Sequence, residues 1–235
     1  MSDAVTIGTA VVAYIEPHDG EARAFNRWYE RDHFYAAAMA GPGMYAGARW
    51  VATRECKALR PANTLFGDPA RGSYLATYWL LPGAQAGWDA WSEREYANTP
   101  TERLFSGRDH VHTGVYRFLW DARTEDAPPP ATALDHGFAG VVALASLAPS
   151  DWVKDWTKKV LSNELDLVLA FASKRTIMSQ AEPTDHVLVL GFCRASPLVV
   201  WRDRIAPALD AMPGLGYASP FLRTIPGTDT HVDAL

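Results

Sequence analysis

The sequence predicts an α+β fold, two tandem ferredoxin-like β-α-β-β-α-β units packed sheet to sheet as an α+β barrel. Three observations predict it. Short runs rich in β-branched and aromatic residues alternate with amphipathic stretches in the order β-α-β-β-α-β. A proline-rich stretch around Pro128-Pro129-Pro130 follows. The same order of elements then starts again.

Each element has a local reason. Residues 5–15 are rich in Val, Ile, Thr and Tyr, are bounded by Pro17, and read as a strand. Residues 21–39 read as a helix, because Ala22, Phe25, Trp28/Tyr29 and His33 recur at helical spacing. Arg23, Arg27, Glu30 and Arg31 lie between them, and Gly41-Pro42-Gly43 stops the helix. Residues 47–56 are a second strand, carrying Trp50, Val51 and Thr53. Residues 57–72 hold Pro61, Gly67, Pro69 and Gly72 and read as a long loop. A third strand spans 73–81, and Pro82-Gly83 breaks it. A helix with Trp88 and Trp91 follows, then a short helical stretch within 100–110, then a strand over 112–120.

Residues 122–135 read as an extended linker between units 1–121 and 136–235. The second unit has strands at 137–147, 165–178, 185–194 and 217–225, with helices at 149–163 and 197–212. Val11-Val12-Ala13 matches Val141-Val142-Ala143, Trp28 falls on Trp156, and Trp88 on Trp201. A ferredoxin-like unit has helices on one face of its sheet, and its other face is too apolar for water. Two units in one chain cover those faces by closing a barrel with the helices outside.

Composition removes several function classes. Net charge is −5 and no lysine or arginine run occurs, so nucleic acid and anionic membrane surfaces are not expected partners. No apolar stretch is long enough to span a bilayer and the N-terminus carries no secretory pattern, so a cytoplasmic location is expected. Cys56 and Cys193 form no CxxC pair, are expected on strands, and read as small core residues. No P-loop, GxGxxG or GxSxG pattern is present, and no cofactor is expected. His110-Val111-His112 would put two imidazoles on one side of a strand, but no set of further ligands completes a metal site, so none is expected. His18, His136, His186 and His231 fall near turns or termini and are expected in solvent.

The densest chemistry is Phe25-Asn26-Arg27-Trp28-Tyr29-Glu30-Arg31-Asp32-His33-Phe34. Phe25, Tyr29 and His33 stand at i, i+4 and i+8 and share one helical face, which the charges opposite turn toward the sheet. His33 near the helix end could also simply complement the helix dipole. Arg49 and Trp50 face opposite ways on their strand. Tyr74, Ala76 and Tyr78 share one face of the third strand, which lines either a pocket or the core.

The segment AFNRWYERDHFYAAAMAGPGMYAGARWVATR resembles the dimeric α+β barrel superfamily, in which a W-Y-x-x-H helix precedes a P-G turn and an arginine-bearing strand. The EthD-like and antibiotic-biosynthesis-monooxygenase-like branches are closest in look. The resemblance implies a pocket between helices and sheet. His33 would be its general acid or base and Tyr29 the hydrogen-bonding partner or oxyanion donor. Phe25, Trp28, Arg49, Tyr74 and Tyr78 would bind substrate, with Trp28 equally readable as core. In the second unit Thr157 and Leu161 replace Tyr29 and His33, so one pocket is expected, in the first unit. The expected function is cofactor-independent proton transfer (isomerisation, cyclisation, dehydration or elimination) on an apolar, aromatic or polyketide-like molecule. Alternatives are a cofactor-free monooxygenase, a haem protein using His186, and a non-catalytic binding or stress protein. The partner is a small-molecule substrate, and a homodimer is a candidate assembly.

Overall fold

Side chains of β1 (Thr9–Pro17) alternate between two cores, as a period of two requires. Ala10, Val12 and Tyr14 point into one cluster and Val11, Ala13 and Ile15 into another. The computed structural model describes residues 5–62, 65–160 and 165–235. Within them the strands close an antiparallel barrel in the order β1-β3-β2-β8-β5-β7-β6-β4. The further strands are β2 (Met44–Val51), β3 (Tyr74–Leu80), β4 (Arg108–Arg123), β5 (Gly140–Ser146), β6 (Leu167–Ser179), β7 (Val187–Cys193) and β8 (Leu215–Arg223). Read around the barrel, β4-β1-β3-β2 is followed by β8-β5-β7-β6, the same order in each half of the chain.

The barrel interior is filled by large side chains, including Trp50, Trp79, Phe171, Phe192 and Phe221. Such filling is expected of an eight-stranded barrel. Outside, α1 (Ala22–Trp28), its continuation Tyr29–Met39 and α3 (Gln85–Asn98) cover the first four strands. On the other side α4 (Ser150–Val160) and α5 (Pro197–Val200), extended to Ala211 by π and 3-10 turns, cover the last four.

The main departure from the sequence reading is in the first helix. From Tyr29 to Met39 it is π-helical, with i→i+5 bonding. More residues per turn mean that the i, i+4, i+8 face is not continued beyond Tyr29. Glu30, expected on the solvent side, is thereby turned inward against Arg49. His33 sits six residues before the last residue, Met39, so it does not complement a helix end. The wide helix also lies close to the sheet. A Cβ on Gly47 would come within 2.7 Å of Tyr78 and 2.8 Å of Met39.

Other boundaries differ for visible reasons. β2 ends at Val51, because Thr53 caps a short helix α2 (Arg54–Ala58) that takes Cys56 off the strand. β4 runs on to Arg123, and of the supposed linker Ala131 is buried and Ala133 and Leu134 belong to the inner core. Prolines forfeit ladder hydrogen bonds, but they do not prevent burial. The predicted end of the 149–163 helix, with Leu161, lies outside the described residues. The C-terminal tail straps α1: Asp229 bonds Arg23 and Arg27, and the Gly227 amide donates to Glu30. No described helix is long and apolar enough to cross a membrane.

Candidate functional site

His110 and His112 are separated by a β-bulge. Across from β1, Ile15 pairs with His110 and Tyr14 with His112, so one extra residue, Val111, is accommodated. The bulge breaks the alternation that would have put both imidazoles on one side. His110 faces outward and lines a cavity with His33, whereas His112 faces the barrel interior against Phe66. Among the described residues no group of three or more His, Cys, Asp or Glu side chains is arranged to hold a metal ion.

The outer cavity has a volume of about 190 Å³. Its walls come from the first helix, α3 and β4, and include Trp28, His33, Trp91, Tyr96, Arg108 and His110. His33 stacks on Trp28, with ring centroids 4.5 Å apart. On the same indole lies the guanidinium of Arg108, 4.7 Å from the ring centroid. Trp28 is fixed by its Nε1–H, which donates to the Arg103 carbonyl at 2.9 Å. Burial, then the charge of Arg108 and the neighbouring His110, bring the His33 imidazole down to about 3, against a smaller opposing pull from Asp32. Burial and Arg108 likewise lower His110 to about 4. Both rings are therefore neutral at physiological pH. Asp32, sequence neighbour of His33, is tied to Arg103 instead of orienting the imidazole.

Of the seven residues that the sequence reading assigned to the pocket, only His33 and Trp28 line this cavity. Phe25, Tyr29, Tyr74, Tyr78 and Arg49 form a buried layer between helix and sheet. The Arg49 guanidinium is sandwiched between Tyr29 (4.2 Å) and Tyr74 (4.6 Å) and bonds Glu30 (3.2 Å) and Asn26 (3.1 Å). Tyr29 was expected to hydrogen-bond His33. Its hydroxyl bonds Tyr78 instead, and it meets His33 only ring to ring, 4.9 Å apart. Burial raises the affinity of both phenols for their protons. Arg49 lines a separate, smaller cavity of about 80 Å³ with Glu30, Phe34 and Tyr35.

Sequence reading missed Arg108, the place of His110 beside His33, and a second constellation inside the barrel. His112 Nε2 meets the Tyr116 hydroxyl at 2.7 Å, and that hydroxyl meets His186 Nε2 at 3.0 Å. His186 is 6% exposed and not in solvent, because Phe66 and Tyr116 close over it. Its Nδ1 meets the Thr184 carbonyl at 2.7 Å, so Nδ1 carries the proton and Nε2 accepts from Tyr116. The Tyr116 oxygen in turn accepts from His112 Nε2. Burial lowers His112 to about 3 and pushes His186 down as well. The HxH pattern was the available signal, but the bulge that splits it is not written in the sequence.

No family model matches the sequence, and no curated protein matches it significantly. Solved structures do. An anthrone oxidase-like protein is similar over 94% of this chain and 92% of its own, with a TM-score of 0.56 and 8% identity. A variant of Rhodococcus jostii DypB in complex with haem is similar over 94% and 95%, at a TM-score of 0.54 and 9% identity. A monooxygenase-like protein from Fusobacterium nucleatum gives 94% and 94%, a TM-score of 0.50 and 8% identity. The chain shares with these structures an α+β fold built around a closed eight-stranded barrel. Identity this low carries the fold and leaves function to the site.

The haem alternative can be tested on this chain's own residues. It needs an imidazole nitrogen free for iron. His186, the candidate from the second half, has both nitrogens engaged, one by Thr184 and one by Tyr116, and its ring is packed by Phe66. In this arrangement His186 offers iron no free nitrogen.

Proposed function

We propose that the protein is a cofactor-independent enzyme that moves a proton on a small aromatic or polyketide-like substrate bound in the outer cavity. The observation that carries the reading is His33. A neutral imidazole, half-buried on an indole, lines a ring-walled cavity beside a second neutral imidazole. A neutral imidazole can take a proton from an activated C–H or O–H, and His110 would hydrogen-bond the oxygen on which charge develops. Tyr29 is a positioning residue, with its ring against His33 and its hydroxyl held by Tyr78. Phe25, Tyr74 and Arg49 form the floor that fixes it. Isomerisation, cyclisation, dehydration and elimination all begin with such a step.

A cofactor-free monooxygenase begins the same way, since its substrate must first become an electron-rich anion. Oxygen uptake distinguishes the two. The repeated strand order in the two halves supports the tandem-unit reading, with units 1–121 and 136–235. In that reading the second unit takes the place of a partner subunit. Thr157, opposite Tyr29 in the repeat, is buried, which fits one pocket per chain.

The test is exchange of acidic C–H for C–D in heavy water. A panel of small aromatic ketones and aromatic keto acids is incubated with the wild type and with His33→Gln and followed by NMR. The reading expects exchange above the buffer rate for at least one compound, lost in His33→Gln with the melting temperature retained. Equal exchange by both proteins would overturn it.

A further inference from the structure

Arg108 is a half-buried cation without a counter-ion. Its Nη1 donates to the Phe105 carbonyl, and its Nε is buried with no hydrogen-bond partner. Among the described residues no carboxylate pairs with it, although thirteen ion pairs are present elsewhere. The two carboxylates on the cavity wall are already engaged, Asp32 by Arg103 and Glu95 by Arg94. Neither imidazole offers negative charge. Leaving a buried donor unsatisfied and a cation partly desolvated is costly, and an anion in the cavity would offset the cost of the unpaired charge.

We infer that the cavity binds a small aromatic anion, with Arg108 as its counter-charge. Trp28, Trp91 and Tyr96 supply ring faces and edges for a flat apolar body. The guanidinium, already lying on Trp28, would meet an anionic oxygen carried on the edge of that body. The group recognised is a carboxylate or an ionised phenol. The inference names the substrate class for the proton-transfer reading and rests on the same cavity, but it needs no turnover to be tested.

It also explains how a weakly basic imidazole could become useful. The positive charge of Arg108 is a main reason, after burial, that His33 resists protonation. An anion on Arg108 offsets that charge, so His33 gains proton affinity when the ligand is present. His110 gains in the same direction, since Arg108 also depresses it.

The experiment compares 2-naphthoate, 2-naphthol and neutral 2-naphthamide by calorimetry and by quenching of tryptophan fluorescence. Naphthoate is expected to bind at least about tenfold more tightly than naphthamide, the size of one charge-assisted contact. Naphthol should gain affinity only above its own pKa, which separates the phenolate source from the carboxylate. Arg108→Gln should remove the preference and Arg108→Lys retain part of it, with circular dichroism as the control for folding. Arg117→Gln, an exposed arginine outside the cavity, should preserve it. His33→Gln should still prefer naphthoate even where it abolishes exchange, so failure of catalysis and failure of anion binding read differently. Equal affinity for naphthoate and naphthamide, or an unchanged preference in Arg108→Gln, would overturn the inference.

Discussion

The imidazole of His33 lies on the indole of Trp28 with 24° between the ring planes and centroids 4.5 Å apart. Two residues five apart in sequence meet this way because the helix changes from α to π at Tyr29, within the interval that separates them. The stack holds the imidazole at the cavity wall while the ring edge of Tyr29 supports it from beneath.

If the reactive form is the neutral imidazole, kcat/KM should not fall between about pH 8 and pH 5, because a ring depressed well below 6.5 stays unprotonated over that range. A pH profile on any exchanging substrate checks this. A loss centred near 6.5 would assign the chemistry to a solvated histidine.

The network inside the barrel predicts acid sensitivity. His112 is held at about 3 and His186 is also depressed, whereas both return to ordinary values on unfolding. Below about 6.5 the unfolded chain takes up protons that the folded chain refuses. Stability should therefore fall as pH falls below about 6.5, by about 1.4 kcal/mol per pH unit for His112 down to about 3, with His186 adding in the same direction. Above that window the contribution is fully present. Urea midpoints measured at several pH values should show the slope, and His112→Leu should reduce it.

Tyr116→Phe should leave His112 Nε2 and His186 Nε2 facing each other across a buried gap without their shared hydroxyl. An unsatisfied buried polar group costs about 1–3 kcal/mol. Denaturant unfolding should show a loss of that order or more, while ligand binding in the outer cavity stays near wild type. A neutral effect would mean that water replaces the hydroxyl.

Arg49 and Glu30 are both deeply buried, with side chains 3% and 9% exposed. Removing one partner strands the other charge, so Glu30→Ala should cost about 3–5 kcal/mol. The double variant Arg49→Met/Glu30→Leu should cost less than Glu30→Ala alone. A thermodynamic cycle on the four proteins checks the ordering.

Gly47→Ala should destabilise by about 1–3 kcal/mol, since the added methyl meets Tyr78, Met39 and Phe34 below normal contact distance. Loss of the Tyr29–Tyr78 contact should accompany it, read as a change in near-ultraviolet circular dichroism.

The barrel was legible because alternation and element order are local properties. β1 and β3 needed only their period of two, and Tyr74, Ala76 and Tyr78 do share the outer face. The site was only partly legible. His33 and Trp28 stand out in the sequence and line the cavity, but the face on which His33 was placed with Phe25 and Tyr29 assumed 3.6 residues per turn, which the π segment abandons. Arg108 and His110 were out of reach as partners of His33, because strand pairing brings them there from a distant part of the chain. The bulge at Val111, which separates His110 from His112, depends on register with β1 and leaves no mark in composition.

The most direct test of the central claim is an NMR titration of the His33 ring in the wild type and in Arg108→Gln. The account predicts a wild-type midpoint far below 6.5, near 3, that moves up when the guanidinium is removed. A midpoint near 6.5 in both proteins would place His33 in solvent, away from the charge of Arg108, and would contradict the account.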